Sequence, residues 1–110
     1  MNLRIDLMTY KVYFSDKSRE DLSNIHFYIS VIENLPDTAD RFIDRLVEAC
    51  DSLSFMPERF KKVGLDIVGL EEIRIYPIKR YLIFYLVNKD NNRVEIIRVI
   101  SSAQNYKNLL

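Results

Sequence analysis

The sequence predicts an α+β fold in which a helical hairpin packs on a mostly antiparallel four-stranded sheet, in the order β-α-α-β-β-β. Two patterns carry this prediction. Apolar residues recur every three or four positions through two early stretches, which is helical spacing. They alternate, or run together, in one short segment before those stretches and in three segments after them, which is typical of strands. The 110 residues suit one domain, and we expect it to span residues 1–110.

The first strand is predicted at residues 10–14, YKVYF, and Ser15 after it is a good helix N-cap. The following stretch predicts a helix over roughly residues 16–33. The stripe of that helix facing the core is formed by Leu22, Ile25, Ile29 and Ile32. His26 lies beside this stripe, so we expect a packed or boundary histidine.

The second helix is predicted to begin at Pro36, because proline suits the first turn of a helix but not its interior. Its apolar stripe comprises Ala39, Phe42, Ile43, Leu46, Ala49, Cys50 and Leu53. The short break between the helices predicts an antiparallel hairpin. Cys50 falls on the stripe and is predicted to be a buried small residue rather than a nucleophile.

A connecting segment follows over residues 55–70, with Pro57, Gly64 and Gly69 as breakers. Strands are then predicted at residues 71–77, 80–88 and 93–101. The middle one is apolar on both faces, which predicts a central strand covered on both sides.

The composition excludes several classes of protein. A single cysteine precludes an intrachain disulfide, and one histidine with one cysteine cannot form a structural zinc site. No apolar run is long enough to cross a bilayer, and the start MNLRIDLMTY lacks the apolar core of a signal peptide. We therefore expect a cytoplasmic protein without a metal, cofactor or membrane partner. Residues 1–8 are expected to be a disordered extension, with Met8 as an alternative start.

The net charge of zero conceals an asymmetry along the chain. Residues 1–54 carry 6 Lys/Arg against 10 Asp/Glu, and residues 55–110 carry 10 against 6. The second half is therefore predicted to present a positive surface that suits an acidic protein partner. The strongly basic footprint of a nucleic-acid binder is missing, so we expect no binding of free nucleic acid.

One long stretch resembles a known family: IRIYPIKRYLIFYLVNKDNNRVEIIRVISSAQNY. This stretch resembles the RelE/ParE toxins of bacterial type II toxin–antitoxin modules. The shared features are a basic residue before an aromatic one (Lys79, Arg80, Tyr81), an aliphatic–aromatic strand, and a last strand that contains Arg98. The earlier stretches DLSNIHFYI and ADRFIDRLVEACDSLSFMPE resemble the helical hairpin of that family. The resemblance covers about residues 10–108.

The resemblance implies a toxin that a cognate antitoxin holds silent. RelE-like members cleave mRNA on the ribosome, whereas ParE-like members inhibit DNA gyrase. If the chain is a metal-independent endoribonuclease, its candidate catalytic residues are Lys61, Lys62, Arg74, Arg80, Arg98 and Tyr106. The candidate target-binding residues are Arg74, Lys79, Arg80 and Arg98.

Each candidate also has a purely structural interpretation. Lys61 and Lys62 would then be a solvated loop, and Arg74 and Arg80 solvated strand ends. Arg98 would be a snorkelling or ion-paired arginine at a sheet edge. The segment SSAQNY after the last strand would be a polar strand end rather than a catalytic centre.

Three features favour the ParE-like subclass. The overall charge is neutral, the tail has no histidine, and Ala103 and Gln104 stand where a nuclease calls for a cation. Serine and glutamine are poor proton shuttles near neutral pH. The main expectation is therefore a gyrase inhibitor. The alternatives are a ribosome-dependent mRNA endonuclease and a non-toxic interaction module of the same fold.

Overall fold

The computed structural model describes residues 9–64 and 71–110. The helices and strands are β1 (Lys11–Phe14), α1 (Asp16–Phe27), α2 (Pro36–Asp51), β2 (Arg74–Ile78), β3 (Tyr81–Asn88) and β4 (Arg93–Ser101). The sheet has the order β1-β4-β3-β2. β1 is parallel to β4, and the other two pairs are antiparallel. The predicted architecture and element order are confirmed. The expected extension at residues 1–8 and the breaker Gly69 lie outside the described residues.

The helical hairpin packs on one face of the sheet because both helices turn an apolar stripe toward it. α2 buries Ala39, Leu46, Ala49 and Cys50. The opposite sheet face has a smaller cluster around Ile73, Phe84 and Ile100. β3 lies between β2 and β4 and contributes to both clusters, as its two-sided apolar sequence predicted.

The first helix differs from the prediction in its last turns. The α-helix stops at Phe27 and continues as a π-helix over Tyr28–Ile32. A π-turn contains an extra residue, so it rotates later side chains out of the register of the preceding α-helix. Ile25 and Ile29 are buried as predicted, but Ile32 is 61% exposed. The prediction that Ile32 completes the buried stripe is wrong.

α1 also completes the edge of β4. β1 ends opposite Ile96, and Ser15 continues the contact by donating its N–H to the Ile96 carbonyl and its hydroxyl to the Ile97 carbonyl. Six residues further on, the carboxylate of Asp21 accepts a hydrogen bond of 2.9 Å from the N–H of Val99. The start of α1 therefore supplies the polar contacts of an edge that β1 is too short to cover.

Two predictions about single residues have clear outcomes. Cys50 is fully buried, and this burial raises the pKa of its thiol to about 12. His26 is half-buried at the boundary of the hairpin, where its Nε2 lies 2.7 Å from Asp40 of α2. Both placements agree with the predictions. Within residues 9–64 and 71–110, none of the helices is sufficiently long and apolar to traverse a bilayer.

Candidate functional site

A groove of about 940 Å³ lies between the hairpin and one end of the sheet. Tyr28, Phe42 and other residues of the hairpin form one wall. The β2–β3 turn forms the second wall with Lys79, Arg80 and Tyr81, and the end of β4 closes the groove. We call this feature the hairpin groove. It is the place where the apolar surface of the hairpin meets the basic second half of the chain.

The end of the last strand lines this groove. Ser101, Ser102, Ala103 and Gln104 all contribute to its surface. The N–H of Ser102 donates to the carbonyl of Arg80 at 2.8 Å, which fixes the strand end against the β2–β3 turn. The polar strand end is thus a part of the groove wall.

Arg98 lies in the groove but is fully engaged with the protein itself. Its Nε and Nη2 donate to the two carboxylate oxygens of Asp21 at 2.8 and 2.9 Å. Its Nη1 donates to the carbonyl of Leu109 at 2.6 Å. The carboxylate of Asp21 raises the pKa of Arg98, and the side chains are only 14% and 11% exposed. Arg98 therefore joins α1, β4 and the C-terminal tail.

Lys79 and Arg80 have the opposite character. Both are exposed, and neither side chain makes a hydrogen bond or ion pair with any residue of the described ranges 9–64 and 71–110. Lys79 also adopts a left-handed backbone conformation with φ of 54°, which is unfavourable for a residue with a side chain. The β2–β3 turn therefore holds two uncompensated positive charges at the rim of the groove.

The wall behind these charges is aromatic. The rings of Phe42 and Tyr81 lie 5.5 Å apart across the junction of hairpin and sheet. The Tyr81 hydroxyl is protonated at neutral pH, and burial, with the nearby Glu33 and Tyr28, raises its pKa further. The groove thus combines an apolar wall, a neutral hydroxyl, the two free cations of the β2–β3 turn and the carboxylate of Glu33 on the hairpin side. An amphipathic ligand whose acidic groups face the turn suits this arrangement.

The other candidate cations lie elsewhere. The guanidinium of Arg74 is held by the carbonyls of Phe60 and Glu58 at 2.6 and 3.1 Å, with the Glu58 carboxylate 3.5 Å away. Its side chain is only 14% exposed, so the interpretation of Arg74 as a solvated strand end is wrong. The cause is the loop at residues 58–60, which folds back over the start of β2.

Lys61 and Lys62 are exposed, as the solvated-loop interpretation predicted. Lys62 nevertheless pairs with Glu72 at 2.8 Å, and this hydrogen bond lowers the pKa of Glu72. The main chain of Lys62 bridges to Arg74. Lys62, Glu72 and Arg74 border a second, strongly charged cleft, together with Glu58 and Lys89.

Tyr106 belongs to the opposite face of the sheet. Its ring lies 5.1 Å from that of Phe84, within the smaller apolar cluster. The candidate catalytic residues are therefore divided. Arg80 and Arg98 line the hairpin groove, Lys62 and Arg74 line the charged cleft, Tyr106 lies on the far face, and Lys61 is exposed outside both. Within the described part of the chain, no group of three or more His, Cys, Asp or Glu side chains is placed to hold a metal ion.

Sequence reasoning did not identify two features of this region. The first is the ion pair between Asp21 and Arg98. The sequence offers one indication of it: Asp21 is an acidic residue four positions before the buried Ile25, within the apolar face of the helix. The exposed apolar residues of the π-turn were also missed, because their spacing matches an unbroken α-helix.

The fold has close counterparts among solved structures of toxin–antitoxin complexes. The ParDE system of P. aeruginosa superposes with a TM-score of 0.66 at 16% identity, over 86% of this chain and 97% of the other. The RelBE2 complex of Mycobacterium tuberculosis gives 0.61 at 24% identity, over 84% and 98%. The archaeal RelE–RelB complex of Pyrococcus horikoshii OT3 gives 0.54 at 22%, over 88% and 99%. The chain therefore has the fold shared by ParE and RelE toxins.

The sequence itself assigns the family. The family described as the ParE toxin of the type II toxin–antitoxin system parDE matches residues 12–106. The chain belongs to this family, and it is accordingly a toxin of a type II toxin–antitoxin system. Among curated proteins, none matches the chain.

Proposed function

We propose that this toxin inhibits growth by binding DNA gyrase in the cytoplasm, and that a cognate antitoxin neutralises it by occupying the hairpin groove. The observation that carries the proposal is the contrast between the cations of the groove. Arg98 is engaged by Asp21 and Leu109, whereas Lys79 and Arg80 are free beside an aromatic wall. Such a surface is suited to binding a protein segment. The membership of the chain in the ParE family supports a protein partner as well.

The endonuclease alternative has less support from the geometry. Cleavage of RNA without a metal requires a base, an acid and cations around one phosphate. Tyr106 packs on the far face of the sheet, and Arg74 and Lys62 line the charged cleft. The groove itself offers Ser101, Ser102 and Gln104, which exchange protons poorly at neutral pH. The likeness to RelE structures concerns the fold and does not select a target.

The groove is also a better antitoxin site than the outer edge of β2. That edge is partly occupied, because the N–H of Val63 donates to the Ile73 carbonyl and the N–H of Ile75 donates to the Lys61 carbonyl. Pro77 further along β2 has no N–H to offer to an added strand. An acidic amphipathic segment in the groove would pack its apolar side on Tyr28 and Phe42 and place its carboxylates at Lys79 and Arg80.

The proposal is tested by two assays on the purified chain: gyrase supercoiling, and cleavage of mRNA on programmed ribosomes. Loss of supercoiling with intact mRNA is the expected result. Codon-positioned cuts with active gyrase would establish the endonuclease instead. If both activities remain untouched, the chain is a non-toxic interaction module.

The proposed antitoxin site is tested with a matched pair of variants. Arg80→Ala removes a free cation of the groove, and Arg45→Ala removes an exposed arginine of α2 outside it. We expect Arg80→Ala to weaken binding of the purified antitoxin about tenfold, the scale of one lost charge contact, while Arg45→Ala leaves it unchanged. Equal effects of the two variants would place the antitoxin elsewhere.

A further inference from the structure

The π-turn at the end of the first helix exposes a continuous apolar surface. Its residues are Phe27, Tyr28, Val31, Ile32 and Leu35, and each is between 47% and 61% exposed. The five residues fall within the nine positions 27–35, and the N–H of Leu35 bonds back to the carbonyl of Ile29, so these side chains are grouped at one end of the hairpin. We call this group the hairpin ridge. Contiguous exposed apolar patches with polar borders mark interaction sites on soluble proteins.

The exposure of the ridge is built into the backbone. The N–H of Glu33 donates to the carbonyl of Tyr28, five residues back, instead of to that of Ile29. The N–H of Leu35 donates to the carbonyl of Ile29 at 3.0 Å. These bonds widen the helix and turn Ile32 outward, away from the core that Ile25 and Ile29 enter. π-turns are uncommon and occur frequently at functional sites.

The charged residues closest to the ridge along the chain are acidic. Residues 20–40 contain Glu20, Asp21, Glu33, Asp37 and Asp40 but no lysine or arginine. Glu33 follows the π-turn directly, and Asp37 is exposed in the first turn of α2. Asp40 is exposed beside His26, the residue before Phe27. An apolar surface with an acidic border selects a partner that is apolar and basic.

This charge is opposite to that of the β2–β3 turn, where Lys79 and Arg80 stand free. The two surfaces adjoin, because Tyr28 belongs to the ridge and also lines the hairpin groove. We propose that the hairpin ridge is a second docking surface, and that its occupant is a partner segment with apolar side chains bordered by lysine and arginine. The toxin can then hold an acidic partner in the groove and a basic partner on the ridge.

The test uses two synthetic helical peptides of about 18 residues, a length at which a short helix is stable enough to present a face. One is built from leucine and lysine, the other from leucine and glutamate with identical spacing. Binding to the full chain is measured by fluorescence anisotropy, and the bound surface by amide shifts in NMR spectra. We expect the lysine peptide to bind more tightly and to shift the amides of residues 27–35.

The decisive variant is the double substitution Val31→Ser with Ile32→Ser, because both residues belong to the ridge and neither lines the groove. We expect this double substitution to weaken binding of the lysine peptide at least about tenfold. Met56→Ser is the matched control, since Met56 is an equally exposed apolar residue outside the ridge. Urea unfolding of each variant verifies that the fold is retained.

Three results would overturn the proposal: equal affinity for the two peptides, an affinity unaffected by the ridge substitutions, or amide shifts confined to the groove. A dimer detected by sedimentation and abolished by the same double substitution would also overturn it, because the occupant would then be a second copy of the chain. None of these readouts depends on gyrase, so failure of the target assignment leaves this test valid.

Discussion

Asp21 and Arg98 form a bidentate ion pair that joins the first helix to the last strand across 77 residues of sequence. The same carboxylate accepts the N–H of Val99, so one side chain serves the guanidinium and the strand edge together. Asp21 therefore links the first helix directly to the main chain and to a side chain of β4. It also explains why the one arginine inside an apolar strand is compatible with the fold.

Replacing Asp21 by alanine should destabilise the protein by about 3 kcal/mol. The substitution leaves a largely buried guanidinium and a main-chain N–H without their acceptor, which is the costly way to break an ion pair. Urea unfolding measures the loss. Glu20→Ala is the control, because its pair with Lys17 is exposed and should contribute under about 0.5 kcal/mol. Similar losses for both variants would show that the Asp21 contact is weak.

Stability should fall as the pH rises above about 9. Burial raises the pKa of Cys50 from 9.0 to about 12, so the folded thiol keeps a proton that the unfolded thiol releases. The folded state therefore loses stability at a rate that rises to about 1.4 kcal/mol per pH unit between about pH 10 and 12. Urea midpoints at about pH 9, 10 and 10.5 measure the slope, and Cys50→Ala should flatten it. An unchanged slope would assign it to other groups, such as Tyr81 and Tyr85, whose pKa values are also raised.

Lys79→Gly should separate stability from binding. Glycine accepts the left-handed conformation at this position, so the substitution should stabilise the fold by about 1 kcal/mol. If the antitoxin occupies the hairpin groove as proposed, the substitution should also weaken binding of the antitoxin, because a free cation of the groove is lost. Thermal unfolding and antitoxin titration are measured on the same samples. Asn92→Gly is the control, since asparagine already tolerates its positive φ and little should change. Destabilisation by Lys79→Gly would indicate a packing role for the lysine stem.

Tyr85→Phe should cost about 1–2 kcal/mol. The buried hydroxyl donates to the carbonyl of Pro57 at 2.6 Å, and its removal leaves that carbonyl unpaired. Tyr76→Phe provides the comparison. The Tyr76 ring stacks on Phe60, and its hydroxyl makes no hydrogen bond within residues 9–64 and 71–110. Equal unfolding free energies for the two variants would contradict the prediction.

The elements of this fold were predictable because they depend on local patterns. The α2 stripe and the two-sided apolar character of β3 follow directly from the order of side chains. The buried position of Cys50 follows from the same periodicity. Strand ends were correct to within a few residues, and the last strand was predicted with its observed bounds.

The features that failed depend on longer-range physics. The spacing of Ile25, Ile29 and Ile32 fits an α-helix, and only the backbone hydrogen bonds show that a π-turn displaces the last of them. Likewise, Arg98 could be recognised as a cation in an apolar strand, but no local pattern indicates that Asp21 is its ion-pair partner. The loop that encloses Arg74 is a tertiary contact of the same kind.

The parallel pairing of the first and last strands also constrains when the toxin can form during synthesis. Lys11 pairs with Arg93 and Phe14 with Ile96, so β1 has no sheet partner until the first half of β4 has emerged from the ribosome. A nascent chain that holds only the hairpin lacks the β4 side and the cationic rim of the groove. Because such long-range contacts form late and cooperatively, each toxin molecule should remain inert until β4 has been synthesised and become competent in a single step.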